Sequence, residues 1–189
     1  MTRANTAKNI KRRILWITIT GIFMSINIVL SMSIFSIPTL GTNLYMNNII
    51  IVLASVHLDP VAAFMVGGVG AFLGDLIFYP APMFVSLVTH GLQAVIISLF
   101  SHYILKKYPK VSSIIGVVIG GLVDLIGYSL GRAYIYGSDK SWATALMKLP
   151  AEILQVAIGA VIALLLCWSF GLKKIFDKKI ANQIYKNRI

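Results

Sequence analysis

Residues 72–100 read FLGDLIFYPAPMFVSLVTHGLQAVIISLF, a stretch of membrane-like composition into which three polar side chains intrude. The apolar runs on either side of YPAP (79–82) approach the roughly 20 residues that carry a helix across a bilayer core. Pro80 and Pro82 cannot continue a helix, so the segment is a pair of helices joined by a tight turn. Asp75, His90 and Gln93 lie among Leu, Ile, Val and Phe, where lipid offers no partner for a charge. Their position is the question that the rest of the chain has to answer.

Composition supports the membrane reading. The chain has 189 residues, is 58% hydrophobic and 12% charged, and its mean hydropathy is +0.84. A soluble domain carries about a quarter charged residues, so this is an integral membrane protein built as one small helical domain. Cys167 is the single cysteine and sits in an apolar run, which leaves no intrachain disulfide or thiolate metal site. KNIKRR (8–13) precedes an apolar run too long for a signal peptide, and no small-residue cleavage site follows it.

Six apolar stretches can be drawn: Ile14–Phe35, Tyr45–Val56, Val61–Phe78, Met83–Tyr103, Ser112–Leu130 and Ala151–Leu172. The second is short, and its flank GTNLYMNN (41–48) reads as a partly buried loop or re-entry. Asp59 and Pro60 are placed as N-cap and first residue of the third helix. The expected fold is therefore an all-α bundle of six transmembrane helices over residues 14–172. A basic segment (1–13) precedes it and a basic tail (173–189) follows.

Charge sets the orientation. Arg3, Lys8, Lys11, Arg12, Arg13, Lys106, Lys107, Lys110, Lys173, Lys174, Lys178, Lys179, Lys186 and Arg188 fall on one side of a six-span chain. That is 14 of the 17 basic residues, against Arg132, Lys140 and Lys148 opposite. By the positive-inside rule both termini are cytoplasmic. The net charge of +11 is explained by lipid-surface anchoring and needs no nucleic acid.

In this topology the polar intruders share a depth. Asp75 lies near the outer end of span three, and His90 and Gln93 lie in the outer half of span four. Asp124, Tyr128 and Arg132 form an i, i+4, i+8 stripe on span five. Glu152 and Gln155 share a face of span six, and Asn43 and Asn47 precede span two. His57 and His102 fall at the opposite interface and read as surface residues. Two explanations compete: the polar groups are inter-helix pairs, such as Asp124 with Arg132 or Asp75 with His90, or they line a pocket open to the outside. A channel would need polar lining through both leaflets. The collective asymmetry favours the pocket.

Neither a phosphate-binding G-x-x-x-x-G-K-[ST] motif nor a nucleophile–base spacing occurs, so an enzyme and a self-powered pump are not indicated. The three histidines are too dispersed for a metal site, and no cofactor is implied. No inverted repeat relates the two halves, which weakens a secondary transporter. The chain reads as a binding subunit that needs a motor.

In length, span number and charge layout the chain resembles the substrate-binding S components of bacterial energy-coupling factor (ECF) vitamin transporters. The most specific local likeness is LDPVAAFMVGGVGAFLGDLIFYPAPMFVSLVTHGLQAVI (58–96), a glycine-rich helix ending in Gly-Asp, a proline turn and a polar-lined helix. The resemblance implies a multi-pass protein of the bacterial plasma membrane that captures a vitamin or precursor outside. It implies association with a transmembrane scaffold (the T component) and two cytosolic ATPases. It also implies docking through small residues four apart on helix one. Here these would be Gly21 and Ser25, where small side chains still allow close approach in lipid. The stripe Gly67, Gly70, Gly74 is assigned instead to packing within the subunit.

Asn43, Asn47, Asp75, Tyr79, His90, Gln93, Asp124, Tyr128, Arg132, Glu152 and Gln155 are the candidate substrate-binding residues. With Tyr134 and Tyr136 as further rings for stacking, they suit a heterocycle of the hydroxymethylpyrimidine or pyridoxine kind. Arg132 would suit a carboxylate, which makes pantothenate the next choice. Riboflavin would need more aromatic surface. The rival functions are a stand-alone proton-coupled carrier using Asp75, His90 and Asp124, and an assembly protein without ligand.

Overall fold

The corners of the bundle form where capping and proline chemistry place them. The Asp59 carboxylate accepts the backbone N–H of Ala62 at 2.9 Å, and Pro60 opens helix α3 (Pro60–Phe78). After the proline turn, α4 (Met83–His102) runs back against α3. The computed structural model describes residues 3–32, 36–39, 42–137 and 139–185. Residues 33–35 at the expected end of span one, Gly41, and the basic residues Lys186 and Arg188 lie outside them.

Helix α1 is Arg3–Leu30, α2 is Asn47–His57, α5 is Pro109–Tyr136 and α6 is Trp142–Ser169. Helix α7 starts at Leu172–Phe176, passes through a wide turn at Asp177–Ala181 and ends at Asn182–Tyr185. Among the described residues, α1, α3, α4, α5 and α6 are long and apolar enough to cross a membrane. With α2 and α7 the described residues form seven helices, so the protein is an all-α membrane protein in outline.

One exception to the all-α expectation is a two-stranded hairpin. β1 (Ile37–Thr39) pairs antiparallel with β2 (Thr42–Leu44), Ile37 opposite Leu44 and Thr39 opposite Thr42. Part of the stretch expected as a loop thus satisfies its backbone groups pairwise before the chain enters α2. At 1.5 Å per residue, α2 is only about 16 Å long. It has no need to be longer, because α1, α4 and α6 surround it and most of its residues are buried.

Close approach of α3 to its neighbours depends on the glycine stripe. A Cβ at Gly67 would lie 2.8 Å from both Ala94 Cβ and the His90 carbonyl, so any larger residue would force α3 and α4 apart. The wide turn Met65–Val69 interrupts the regular ladder in the same place, and the Asn27 amide of α1 donates to the Val66 carbonyl at 2.7 Å. The stripe therefore packs within the subunit.

Helix α5 extends past both expected ends, and α6 starts well before Ala151 but stops at Ser169, short of Leu172. Pro109 provides the first residue of α5, and the Ser141 hydroxyl caps α6 by accepting Thr144 N–H at 3.3 Å. Pro150, which precedes the apolar run expected as span six, sits inside α6 and is exposed. A membrane helix tolerates the lost bond when other groups satisfy the freed carbonyl.

The segment expected as a basic tail folds as α7 and covers one end of the bundle. Phe176, Ala181 and Tyr185 pack with Ala54, Leu58, Ala62 and Val66, alongside Trp16 and Ile19. Trp16 Nε1 donates to Asp59 Oδ2 at 2.8 Å, and Asp59 N–H donates to the Tyr185 hydroxyl at 3.2 Å. Lys173 Nζ donates to the Val56 carbonyl at 2.8 Å, capping the C-terminus of α2. This cover corrects the reading of His57 as a surface residue. It is 1% exposed and meets the Phe176 ring edge-on at 4.9 Å. His102 is half-buried, its Nδ1 at 2.9 Å from the Ser98 carbonyl. This end thus buries polar side chains too, among them Ser55, His57, Asp59 and Ser98. The hairpin, the YPAP turn, the end of α5 and the start of α6 lie at the other end, around a cavity.

Candidate functional site

The cavity has a volume of about 530 Å³ and draws its walls from the hairpin, helices α2 to α6 and Ser31 just past α1. Of the sequence-selected residues, Asn43, Asn47, Asp75, Tyr79, His90, Asp124, Tyr128, Arg132, Glu152 and Gln155 line it. Gln93 does not: it is 1% exposed and stands behind His90. Tyr134 also points elsewhere, 62% exposed and accepting the Trp142 indole N–H at 3.0 Å.

Three polar groupings organise the walls. At the α3–α4 corner the Ser86 hydroxyl donates to the Asp75 carboxylate. Its oxygen lies 2.5 Å from the Tyr128 hydroxyl. Since Ser86 spends its proton on Asp75, Tyr128 donates to Ser86, and the three form a relay ending on a carboxylate. Asp75 therefore pairs with a serine and not with His90.

The second grouping is centred on His90. Its Nδ1 lies 3.0 Å from Asp124 Oδ1 and 3.1 Å from Gln93 Oε1. Both are acceptors, so Nδ1 carries a proton, and Nε2 remains as the ring's second hydrogen-bonding position. Gln93 Nε2 donates to Asn48 Oδ1 at 3.0 Å, and Asn48 Nδ2 donates to the Val156 carbonyl at 3.3 Å. The chain Asp124–His90–Gln93–Asn48 thus ties α5, α4, α2 and α6 together and fixes the imidazole. Gly127, where a Cβ would fall 2.1 Å from Thr89 Cγ2, lets α5 come near enough to α4 for this pairing. Asp124 is paired with His90, which removes the expected alternative of Asp124 with Arg132.

The third grouping is an ion pair, Arg132 with Glu152, at 2.5 Å between Nη1 and Oε1. Arg132 also stands over the Tyr136 ring, 5.6 Å from its centroid. Both Arg132 and Tyr136 belong to the wide turn Arg132–Tyr136 that ends α5, and such bulges redirect side chains at functional sites. Gln155 Oε1 accepts the backbone N–H of Tyr45 at 2.9 Å, fastening the exit of the hairpin to α6.

Ser31, Tyr45, Phe78, Pro82, Leu125, Lys148 and Val156 also line the cavity and were not selected from sequence. Lys148 precedes Ala151, where the apolar run of span six begins. With α6 beginning at Trp142, positions 148, 152 and 155 share one face. Ser86 was legible, lying one turn before His90 on the same helix.

Gly21 and Ser25 lie on the outward face of α1. Nothing stands within 4 Å of a Cβ at Gly21, and the Ser25 hydroxyl bonds back to the Gly21 carbonyl at 2.9 Å. Ile14, Ile17, Ile22, Ile26 and Val29 are exposed on the same helix. Among the described residues no group of three or more His, Cys, Asp or Glu is arranged to hold a metal ion.

Comparison with known proteins gives two findings. A family model described as "ECF-type riboflavin transporter, S component" matches residues 11–172. A protein of Pyrococcus woesei, described as an uncharacterized protein in gap 3'region, is 31% identical over 146 residues, covering 76% of this chain and 90% of the relative. The matched family consists of substrate-binding subunits of vitamin transporters, not enzymes, which work with T-component and ATPase partners. By its match over nearly all the membrane-embedded length, this multi-pass chain belongs to the family of ECF-type riboflavin transporter S components.

Proposed function

We propose that the protein captures a neutral, flat, hydrogen-bonding heterocycle in the cavity and delivers it into the cell as the binding subunit of an ATP-driven importer. The observation that carries this reading is the cavity itself. At about 530 Å³ it is within the roughly 300–1,000 Å³ typical of small-molecule sites. Its ionisable walls are already organised into pairs and relays.

The state of Arg132 bears on the ligand. Its guanidinium is engaged by Glu152, so a carboxylate ligand would have to displace an existing partner. Pantothenate loses its main argument. The objection to riboflavin, too little aromatic surface, is met by Tyr45, Phe78, Tyr79, Tyr128 and Tyr136 around the cavity. Its volume also exceeds what a single six-membered ring fills. Riboflavin, which gives the matched family its description, is therefore placed ahead of hydroxymethylpyrimidine and pyridoxine-like compounds.

The orientation proposed is six crossings of the cell membrane, with both termini inside and the cavity open outside. Its support is the 14-to-3 division of basic residues and the way the chain alternates between the cavity end and the α7 end. Helix α2 makes its crossing inside protein, which frees it from the length that lipid demands. The exposed face of α1 around Gly21 and Ser25 is proposed as the docking face for the T component, with two separate ATPases supplying energy.

The test is direct. The purified subunit should quench riboflavin fluorescence on titration, and mass spectrometry of molecules released on denaturation should find a flavin or a related ring. Reconstituted alone it should not accumulate ligand. Proton-driven accumulation by the lone subunit would replace this reading with the carrier, and no ligand of any kind would favour the assembly protein.

A further inference from the structure

At the α7 end of the bundle the turn between α4 and α5 meets the end of α6. Lys110, in the first turn of α5, holds its ammonium 5.8 Å from the centroid of the Trp168 ring on α6. Lys107 stands in the same way over Tyr108, 5.6 Å from its centroid. An aromatic face attracts an ammonium through its quadrupole but has no net charge with which to neutralise it. Both cations are therefore held in place and left unbalanced.

The acidic residues do not make up the difference. Of the six Asp and Glu in the chain, Asp75, Asp124 and Glu152 line the cavity, and Asp139 lies beside the start of α6 at that same end. Asp59 and Asp177 belong to the α7 end, where Asp59 binds Trp16 and the Ala62 N–H, and Asp177 binds Lys173. Among the described residues neither Lys106, Lys107 nor Lys110 forms an ion pair. The anion that balances them comes from outside the chain.

The surroundings say what kind of anion. Ile114 and Val118 continue the Lys110 face along α5, and Leu165 lies one turn before Trp168 on α6. All three are exposed, as is Tyr108 beside the lysines. Charge at the membrane surface thus runs without a break into apolar side chains on two neighbouring helices. A soluble anion matches only the first of these, whereas a phospholipid matches both, with its phosphate among cations and aromatic rings and its chains in the hydrocarbon layer.

We propose that an anionic phospholipid occupies the notch between the start of α5 and the end of α6, in the leaflet on the α7 side. Lys107 and Lys110 take its phosphate, Tyr108 and Trp168 lie at the level of its glycerol, and its chains cover Ile114, Val118 and Leu165. One lipid is thereby assigned to one place, which general attraction of a basic surface does not do. The assignment is independent of the ligand in the cavity.

The full chain, reconstituted in phosphatidylcholine vesicles, tests it. Part of the lipid is replaced stepwise by phosphatidylglycerol or phosphatidylcholine with brominated chains, which quench the tryptophans they touch. A lysine near an anionic surface contributes about a fivefold preference. Brominated phosphatidylglycerol should therefore reach half of its quenching at a mole fraction at least about fivefold lower than brominated phosphatidylcholine. Trp168→Phe keeps a ring under Lys110 but removes the fluorophore, and should abolish this excess. Lys107→Gln combined with Lys110→Gln should abolish it too. Lys178→Gln combined with Lys179→Gln removes the same charge from the exposed side of α7 and should leave it intact. Circular dichroism checks that each variant is folded, and the wild-type comparison stands without them. Equal quenching by the two lipids overturns the site. An excess that survives in Trp168→Phe, or that both lysine pairs reduce alike, overturns its location. Loss of the excess on adding inorganic phosphate at matched ionic strength replaces the lipid with a soluble anion.

Discussion

Changing Asp124 to Asn probes the centre of the cavity wall with little change in shape. In the native protein Asp124 Oδ1 faces His90 Nδ1 at 3.0 Å, with the two side chains 5% and 4% exposed. A buried hydrogen bond to a charged group is worth about 1.5–3 kcal/mol and a neutral one about 0.5–1.5, so the substitution forfeits roughly 1–1.5 kcal/mol. If that energy holds His90 in its binding pose, riboflavin affinity falls roughly fivefold to tenfold. His90→Asn, which loses the ring altogether, should do at least as much. The two substitutions act on one contact, so the double variant should be no weaker than the poorer single one, giving a coupling of about 1 kcal/mol or more. Fluorescence titration of all four proteins measures the cycle, and circular dichroism checks that helicity is retained. Wild-type affinity in both single variants would show that the pair only glues helices and plays no part in binding, and strictly additive losses would show that the two residues act on the ligand independently and not through their contact.

Gln93→Ala should act chiefly on stability. It leaves Asn48 Oδ1 unmatched and opens a void, together costing roughly 2–4 kcal/mol in unfolding experiments, with a smaller loss of ligand affinity through the loosened His90. Asp59→Ala, at the far end, removes the cap of α3 and the Trp16 partner. It should lower the unfolding temperature with a cost of about 1–3 kcal/mol and leave ligand affinity untouched. Gly21→Leu meets open space, so the lone subunit should fold and bind normally while co-purification with the T component and uptake fail. Normal assembly of that variant moves the docking face elsewhere. Hydrogen bonds from Thr144 and Ser141 hold the exposed Asp139 carboxyl below its usual range. Its contribution to the start of α6 is therefore present above the ordinary aspartate pKa and lost as pH falls through the lowered value. Hydrogen exchange at residues 142–145 should rise there, and Asp139→Asn should abolish the change.

What the sequence disclosed is what depends on the bilayer. Lipid penalises charge so heavily that Asp75, His90 and Asp124 had to face protein or cavity. Helical spacing then placed them, with Arg132 and Glu152, on faces that meet. What it concealed depends on which atoms find each other. Asp75 with Ser86, Asp124 with His90 and Arg132 with Glu152 are pairings decided by sub-ångström packing through Gly67 and Gly127, to which spacing along the chain is blind. Lys148 was hidden because hydropathy marks only the apolar run from Ala151, whereas the helix begins at Trp142. Helix α7 was hidden because its lysines look like a solvated tail, although Phe176, Ala181 and Tyr185 recur on its buried side.

The tie between Trp16, Asp59 and Tyr185 has a consequence for biosynthesis. Trp16 leaves the ribosome early and Tyr185 after every long helix has been made, so α1 must wait in the bilayer with its inward face incompletely covered. The last contacts to form are also those that hold the first helix in place. A chain interrupted anywhere before α7 would therefore present an open flank of α1 and α2 to membrane quality-control proteases, and completion of α7 would be the event that ends that exposure.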